Sequence, residues 1–138
     1  MSALRFTNRE LVRAWRELKA EVTPANNQSR KNPHRLLMFY AVECGLKAVW
    51  LKRRNRDLFD EADIKRTGHN LRDLLKELNV GSDLSLPNDF QLEKPMRRGQ
   101  FGEIHQAWRY GGRTISPADQ DCEQQMQQVL DWIEGELK

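Results

Sequence analysis

The residues that could do chemistry are concentrated in one basic segment, residues 93–113. It contains five basic and two acidic residues, and this surplus of three equals the net charge of the whole chain. The segment also contains His105, and an imidazole can move protons near neutral pH. Arginine adds forked donors that suit phosphate oxygens. Cleavage of RNA without a metal needs both kinds of group. The basic residues are Lys94, Arg97, Arg98, Arg109 and Arg113.

A solvated charged surface is the alternative interpretation of this segment. Arg109 and Arg113 are either solvated or bind phosphate together with the neighbouring arginines. Trp108 and Tyr110 are expected to pack in the core rather than to stack on bases. A second basic run, residues 52–56, closes a long predicted helix. Favourable charge at a helix C-terminus, together with solvation, is the simpler interpretation of that run.

No residue pattern predicts a metal or a cofactor. The histidines at 34, 69 and 105 are scattered, and no His/Cys spacing resembles a zinc site. His34 and His69 are expected to form local hydrogen bonds near the starts of helices. Cys44 and Cys122 fall within apolar helical patterns, so we expect two small buried apolar residues and no disulfide.

Length and composition predict a single soluble domain spanning residues 1–138. Apolar residues make up 38% of the chain and charged residues 31%. No stretch approaches the roughly 18 apolar residues that span a bilayer. Residues 1–9 lack the apolar core of a secretory signal. We therefore expect a cytoplasmic protein that does not enter a membrane.

Apolar residues recur at helical spacing along most of the chain, and no segment alternates convincingly between apolar and polar residues. The pattern predicts an all-α fold without strands, built as an antiparallel bundle of four to five main helices. The helices are predicted at about 7–22, 33–54, 69–79, 103–110 and 117–137, with a short helix or helical link at 57–65.

The predicted ends and surfaces of two helices carry more detail. Thr7 and Glu10 have the spacing of a capping box at the start of the first helix. The 33–54 helix is so apolar that it should pack on several neighbours at once or on a partner chain. Glu43 and Lys47 lie one turn apart on it and are expected to pair.

Four segments, in this order, resemble the HEPN superfamily. An apolar helix with a glutamate and a following lysine is similar to one of its helices, and an H-x-L-x-x-L pattern resembles the start of the next. An "RY" segment and a closing amphipathic helix complete the resemblance. The four segments are residues 34–51, 68–76, 105–111 and 116–137.

The resemblance implies a HEPN-like bundle that assembles as a homodimer and acts on RNA or nucleotides, often in toxin–antitoxin and defence systems. Ribonucleases of the superfamily carry Arg-x(4–6)-His, and Arg98 and His105 match this motif with six intervening residues. The resemblance implies that the pairs from two protomers meet at the dimer interface. Gly99 departs from the pattern, because Asn, Asp or His usually follows the arginine. Gly102 further loosens the register.

Three functional hypotheses follow. The first is a HEPN-like homodimer that binds RNA or a nucleotide through residues 94–113, with possible metal-independent cleavage by Arg98 and His105. The second is a non-catalytic HEPN interaction or sensor module, acting beside an antitoxin or another partner protein. The third is a structural helical adaptor without a nucleic-acid role.

Overall fold

Helices make up most of the chain, and a long apolar helix lies at its centre. The computed structural model describes residues 6–22, 31–67, 71–81, 84–93 and 97–138. Among these residues, no helix is long and apolar enough to cross a membrane. The helices are α1 (Asn8–Val22), α2 (Asn32–Arg53), α3 (Glu61–Thr67), α4 (Leu71–Leu78), α5 (Ile104–Arg109) and α6 (Asp119–Leu137).

The first two helices begin with the local bonds that the sequence predicts. The backbone N–H of Glu10 donates to Oγ1 of Thr7 at 3.2 Å, and the N–H of Thr7 donates to Oε1 of Glu10 at 3.0 Å. The capping box is therefore confirmed. At the start of α2, Nδ1 of His34 accepts the backbone N–H of Lys31 at 3.2 Å. This bond confirms the local role expected of His34, whereas His69 lies outside the described residues.

Helix α2 packs against α1, α4, α5 and α6, so its broad apolar surface is largely covered within one chain. Gly45 permits the close approach of α1 and α6. A Cβ atom there would lie 2.7 Å from Cδ1 of Trp15 and 2.8 Å from Cδ1 of Ile133. On the partly exposed side of α2, Nζ of Lys47 pairs with Oε2 of Glu43 at 3.3 Å. The predicted ion pair is confirmed.

The C-terminal end of α2 is fixed by a buried carboxylate. Asp63 of α3 accepts Nε1–H of Trp50 at 3.1 Å, the backbone N–H of Asp60 at 2.9 Å and a guanidinium N–H of Arg56. Burial alone would raise the pKa of the Asp63 carboxyl, but these three hydrogen bonds lower it below its usual value. Asp63 is therefore charged in the folded protein near neutral pH.

The prediction of a fold without strands is wrong at two places. Two-residue strands, β1 (Phe6–Thr7) and β2 (Leu58–Phe59), pair antiparallel. Two three-residue strands, β3 (Asp89–Gln91) and β4 (Arg98–Gln100), form an antiparallel hairpin. Strands this short do not show the alternation by which a sequence indicates a strand.

The last helix begins at Asp119, two residues later than predicted. Residues 114–118 form a tight connection instead, in which Ile115 and Ala118 make an isolated bridge. The Asp119 side chain accepts the hydroxyl and the backbone N–H of Thr114 at 2.8 and 3.2 Å. These bonds tie the first residue of α6 back to the segment before it.

Both thiols are free, as expected. Cys122 is buried, and Cys44 is half-buried on α2. Burial raises the pKa of Cys44 to about 11 and that of Cys122 to about 12. Since the thiolate is the reactive form, neither cysteine is suited to nucleophilic chemistry near neutral pH.

Candidate phosphate-binding groove

The predicted basic segment folds into a hairpin with a third extended segment beside it. The backbone N–H of Glu93 donates to the carbonyl of Arg113 at 2.9 Å. The N–H of Ile115 donates to the carbonyl of Gln91 at 2.9 Å. Residues 113–115 therefore lie along β3, on the side that β4 does not occupy. Three short stretches that are distant in sequence are joined through their backbones.

The ring of Phe90 packs directly against the backbone of Gly99 in this hairpin. Gly99 lies directly opposite Phe90 in the strand pairing. A Cβ atom at position 99 would lie only 2.8 Å from Cζ of Phe90, so any larger side chain would displace the ring. This contact gives a physical reason for glycine at the position where the resemblance expects Asn, Asp or His.

A groove of about 290 Å³ lies between the hairpin and α5. Buried Phe90 and Ala107 contribute apolar surface to it, and two exposed arginines and an exposed tyrosine contribute polar surface. One acidic side chain, that of Glu103, faces the same space. The lining residues that carry the argument are Phe90, Arg97, Arg98, Glu103, Ala107 and Tyr110.

Most of the predicted phosphate-binding residues lie at or beside this groove. Arg97 and Arg98 line it and are exposed. Arg109 is exposed at the end of α5, next in sequence to the groove tyrosine. Arg113 is exposed on the extended segment beside β3. Lys94 lies outside the described residues.

The two aromatic residues of α5 differ, and the prediction that both would pack is wrong for one of them. Trp108 is buried, and its Nε1–H donates to Oδ1 of Asp119 at 2.9 Å. Tyr110 is 79% exposed and lines the groove. A large exposed ring beside arginines is the kind of surface on which a nucleobase stacks.

His105 does not line the groove. Its ring packs beside Phe39 and Tyr40 of α2, with centroid separations of 5.3 and 6.5 Å. The ring is half-buried, and its Nδ1 atom is buried without a hydrogen-bond partner in the described chain. Arg98 thus lines the groove, whereas His105 packs against α2 outside it. Their predicted meeting at a dimer interface stays a prediction.

A polar network that the sequence did not reveal joins α5 and the segment at residues 113–115 to the start of α6. Asp119 accepts from Trp108 and Thr114, and its Oδ2 lies 3.5 Å from Nη1 of Arg35. Nε of Arg35 also donates to the largely buried Glu123. The one sequence signal for this network was the acidic residue Asp119 in the first turn of α6. Its partners come from distant parts of the chain.

Two larger cavities lie elsewhere on the described surface. One of about 470 Å³ lies beside α4, and one of about 580 Å³ lies beside the start of α1. At the first, Nε of Arg72 already donates to the carbonyl of Leu86 at 3.3 Å. No aromatic side chain is found among the described residues that line either cavity. The groove is therefore the better candidate for a ligand that carries both a phosphate and a base.

Comparisons with known proteins neither support nor contradict the resemblance to the HEPN superfamily. No family model, curated protein or solved structure matches the chain. The HEPN-like bundle therefore stays a prediction, whereas the mainly helical fold is confirmed. Within the described residues, no group of three His, Cys, Asp or Glu side chains could hold a metal ion.

Proposed function

We propose that this protein binds RNA or a nucleotide through the groove between the β3–β4 hairpin and α5. The observation that carries the proposal is the combination of Arg97, Arg98 and the exposed ring of Tyr110 around one space. Guanidinium groups donate paired hydrogen bonds to phosphate oxygens. An aromatic ring accepts the flat face of any base.

The geometry favours single-stranded over double-stranded nucleic acid. A groove of about 290 Å³ is small and lies on the surface. Stacking on Tyr110 requires an unpaired base that can turn out of its own stack. The arginines would then hold the adjoining phosphate, while Phe90 and Ala107 give the base an apolar surface.

Salt dependence of binding tests this proposal. Affinity for a short single-stranded RNA should fall as salt rises, and each phosphate contact contributes about 0.7 to the logarithmic slope. Replacing Arg97 and Arg98 by alanine together should lower the slope by about 1.4. Fluorescence anisotropy across a salt series measures both slopes.

Lys65→Ala is the control, because Lys65 is exposed on α3 and its loss removes one positive charge outside the groove, half of what the double arginine variant removes. It should leave the slope nearly unchanged. Equal slopes for the wild type and the double arginine variant would refute the groove as the binding site. If the wild type binds no RNA, the alternative of an interaction or sensor module beside a partner protein becomes the better hypothesis.

Metal-independent cleavage by a homodimer is a second candidate, and the surface around His105 supports it. Half-buried apolar side chains follow one side of α2 next to this histidine: Leu36, Leu37, Tyr40 and Cys44. A second chain that covered this surface would bury apolar area. The resemblance implies that such a second chain would place its Arg98 near His105.

In this mechanism the nucleophile is a 2′-hydroxyl of the RNA. The 2′-oxygen forms a bond to phosphorus as the bond from phosphorus to the 5′-oxygen breaks, which leaves a cyclic phosphate and a 5′-hydroxyl end. His105 takes the proton of the 2′-hydroxyl and returns it to the leaving oxygen. Arg98 stabilises the charge on the phosphate.

His105→Ala separates cleavage from binding. It should lower the cleavage rate by about a hundredfold or more while RNA affinity stays close to that of the wild type. The assay should contain EDTA, because the mechanism uses no metal. Unchanged cleavage in the variant would exclude His105 from the reaction, and a monomer in light scattering under assay conditions would exclude a shared site.

A further inference from the structure

Three polar side chains meet where α5 packs on α2. His105 and Arg109 lie four residues apart on α5 and therefore share one side of the helix. Nη2 of Arg109 donates to the hydroxyl of Tyr40 at 2.6 Å. The Tyr40 and His105 rings are 6.5 Å apart between centroids. An imidazole, a phenol and a guanidinium are thus neighbours within a single chain.

The environment of His105 is energetically unfavourable for a residue whose role is packing alone. Its buried Nδ1 has no partner in the described chain, and leaving a buried polar atom unsatisfied destabilises the folded state. A phenylalanine would fill the space beside Phe39 without that cost. Since Nδ1 is buried, a ligand can meet the ring only through the edge that carries Nε2.

Arg109 keeps its charge available for a ligand. The Tyr40 hydroxyl, with a smaller contribution from the Tyr110 hydroxyl, raises the pKa of its guanidinium. Both partners are neutral, and Arg109 forms no ion pair with a carboxylate in the described part of the chain. The two phenols hold the side chain in place without neutralising it.

Arg109 also connects this cluster with the groove, because its neighbour Tyr110 lines the groove. We propose that Tyr40, His105 and Arg109 form a second phosphate subsite, which takes the phosphate next to the one held by Arg97 and Arg98. Arg109, rather than Arg98 of a second chain, is then the cation that accompanies His105. This inference rests on the proposed binding of RNA or nucleotides by the groove.

In this subsite, Arg109 binds the phosphate directly through its free guanidinium N–H groups, and Tyr40 positions Arg109. Nε2 of His105 faces the same phosphate. A ligand with one phosphate fills the groove alone, whereas a ligand with two adjacent phosphates fills both subsites. Affinity should therefore rise with the second phosphate.

Calorimetric titration with two ligands tests the subsite. The ligands are uridine 5′-monophosphate and a 5′-phosphorylated uridine dinucleotide whose 2′-oxygens are methylated, so that it cannot be cleaved. The wild type should bind the dinucleotide about tenfold or more tightly than the mononucleotide, since a charge-assisted contact is gained. Arg109→Ala should remove most of this gain, and it should lower mononucleotide affinity much less than Arg98→Ala does.

Two further variants separate the role of charge from that of geometry. Tyr40→Phe keeps the ring but removes the hydroxyl, so it should lose part of the gain. Arg109→Lys keeps the charge but not the forked donors, so it should also lose part of the gain, and it serves if Arg109→Ala does not fold. Lys65→Ala should keep the whole gain.

The outcomes distinguish this inference from the proposed function. If the mononucleotide does not bind, or Arg98→Ala leaves its affinity unchanged, the groove proposal fails and the subsite falls with it. If the mononucleotide binds in an Arg98-dependent way but Arg109→Ala leaves the dinucleotide gain intact, only the subsite is refuted. A loss of mononucleotide affinity in a folded Arg109→Ala variant that is as large as the loss in Arg98→Ala also refutes a separate subsite.

Discussion

The two basic regions of this protein, residues 52–56 and residues 97–113, look alike in sequence but differ in their contacts. In the first, Nη2 of Arg53 pairs with Oε1 of Glu136 at 2.6 Å, and Nζ of Lys52 donates to the carbonyl of Glu136 at 2.5 Å. Arg54 lies over the ring of Trp50, and Arg56 binds Asp63. These cations bind groups of their own chain.

In the second region, two of the arginines lack such partners among the described residues. The side chains of Arg98 and Arg113 are exposed, and neither forms an ion pair within the described chain. Among the described residues, Arg109 binds only the hydroxyls of Tyr40 and Tyr110. A run of basic residues therefore indicates a binding surface only where the fold supplies no acceptor for it. Favourable charge at a helix C-terminus, together with solvation, was expected of residues 52–56. Lys52 and Arg53 do lie exposed in the last turn of α2, and they also bind groups of α6.

The largest effect should come from removing the carboxylate of the first region. Asp63→Ala leaves Trp50 Nε1–H and the backbone N–H of Asp60 without their acceptor, whereas Arg56 keeps its bond to Asp60. Each donor left unsatisfied in this way costs about 1–3 kcal/mol. Urea unfolding measures the loss, and the folded fraction should bind RNA like the wild type. A loss below about 1 kcal/mol would show that the network is not structural.

Asp119→Ala should affect both stability and binding, because Asp119 holds Trp108 of α5 and Thr114, the residue next to Arg113. Its loss leaves Trp108 Nε1–H and the Thr114 donors unsatisfied, at about 1–3 kcal/mol. The segment that carries Arg113 also loses its attachment to α6, so RNA affinity should fall. Unchanged affinity in a destabilised variant would mean that the groove does not depend on this network.

The pH dependence of stability should be traceable to Asp63. The folded-state pKa of its carboxyl is lowered, so the unfolded chain binds its proton first as the pH falls. The stabilisation by Asp63 is full above the unfolded pKa of about 3.9 and is lost as the pH falls through the lower folded value. Wild type and Asp63→Asn should therefore converge in unfolding free energy below about pH 4. A constant difference across that range would exclude the proposed linkage.

The smallest effect on stability is expected for Arg98→Ala and Arg113→Ala. Substitutions of exposed side chains usually change the unfolding free energy by less than about 0.5 kcal/mol. The same variants should weaken RNA binding if the groove is used. Thermal unfolding measures the change in stability, and fluorescence anisotropy measures the change in RNA affinity. A marked destabilisation would mean that Arg98 and Arg113, like the arginines of residues 52–56, bind groups of their own chain.

The sequence predicted the helices because their signals are local. Capping at Thr7, proline at position 33 and apolar spacing over several turns define α1 and α2 without knowledge of distant contacts. The hairpin could not be predicted in this way. Its strands have three residues each, and the segment that completes it comes from residues 113–115.

The candidate site was predictable in composition and not in arrangement. Residue types located the basic segment, but α5 has six residues, too few to show which side is buried. Tyr110 was therefore wrongly expected to pack, and Trp108 was correctly expected to do so. The separation of Arg98 from His105 depends on how α5 packs against α2, which spacing along the chain does not encode.

The shortness of β4 has a consequence for solubility. Among the described strands, β4 has β3 as its one neighbour, so its other edge can accept a strand from another molecule. Edge strands resist such pairing when they are short and charged, and β4 has three residues that begin with Arg98. Arg98, which is proposed to bind phosphate, therefore also disfavours pairing of this edge with a strand of another molecule. Replacing Arg98 with valine or isoleucine should therefore promote self-association in concentrated samples, even where the fold is intact.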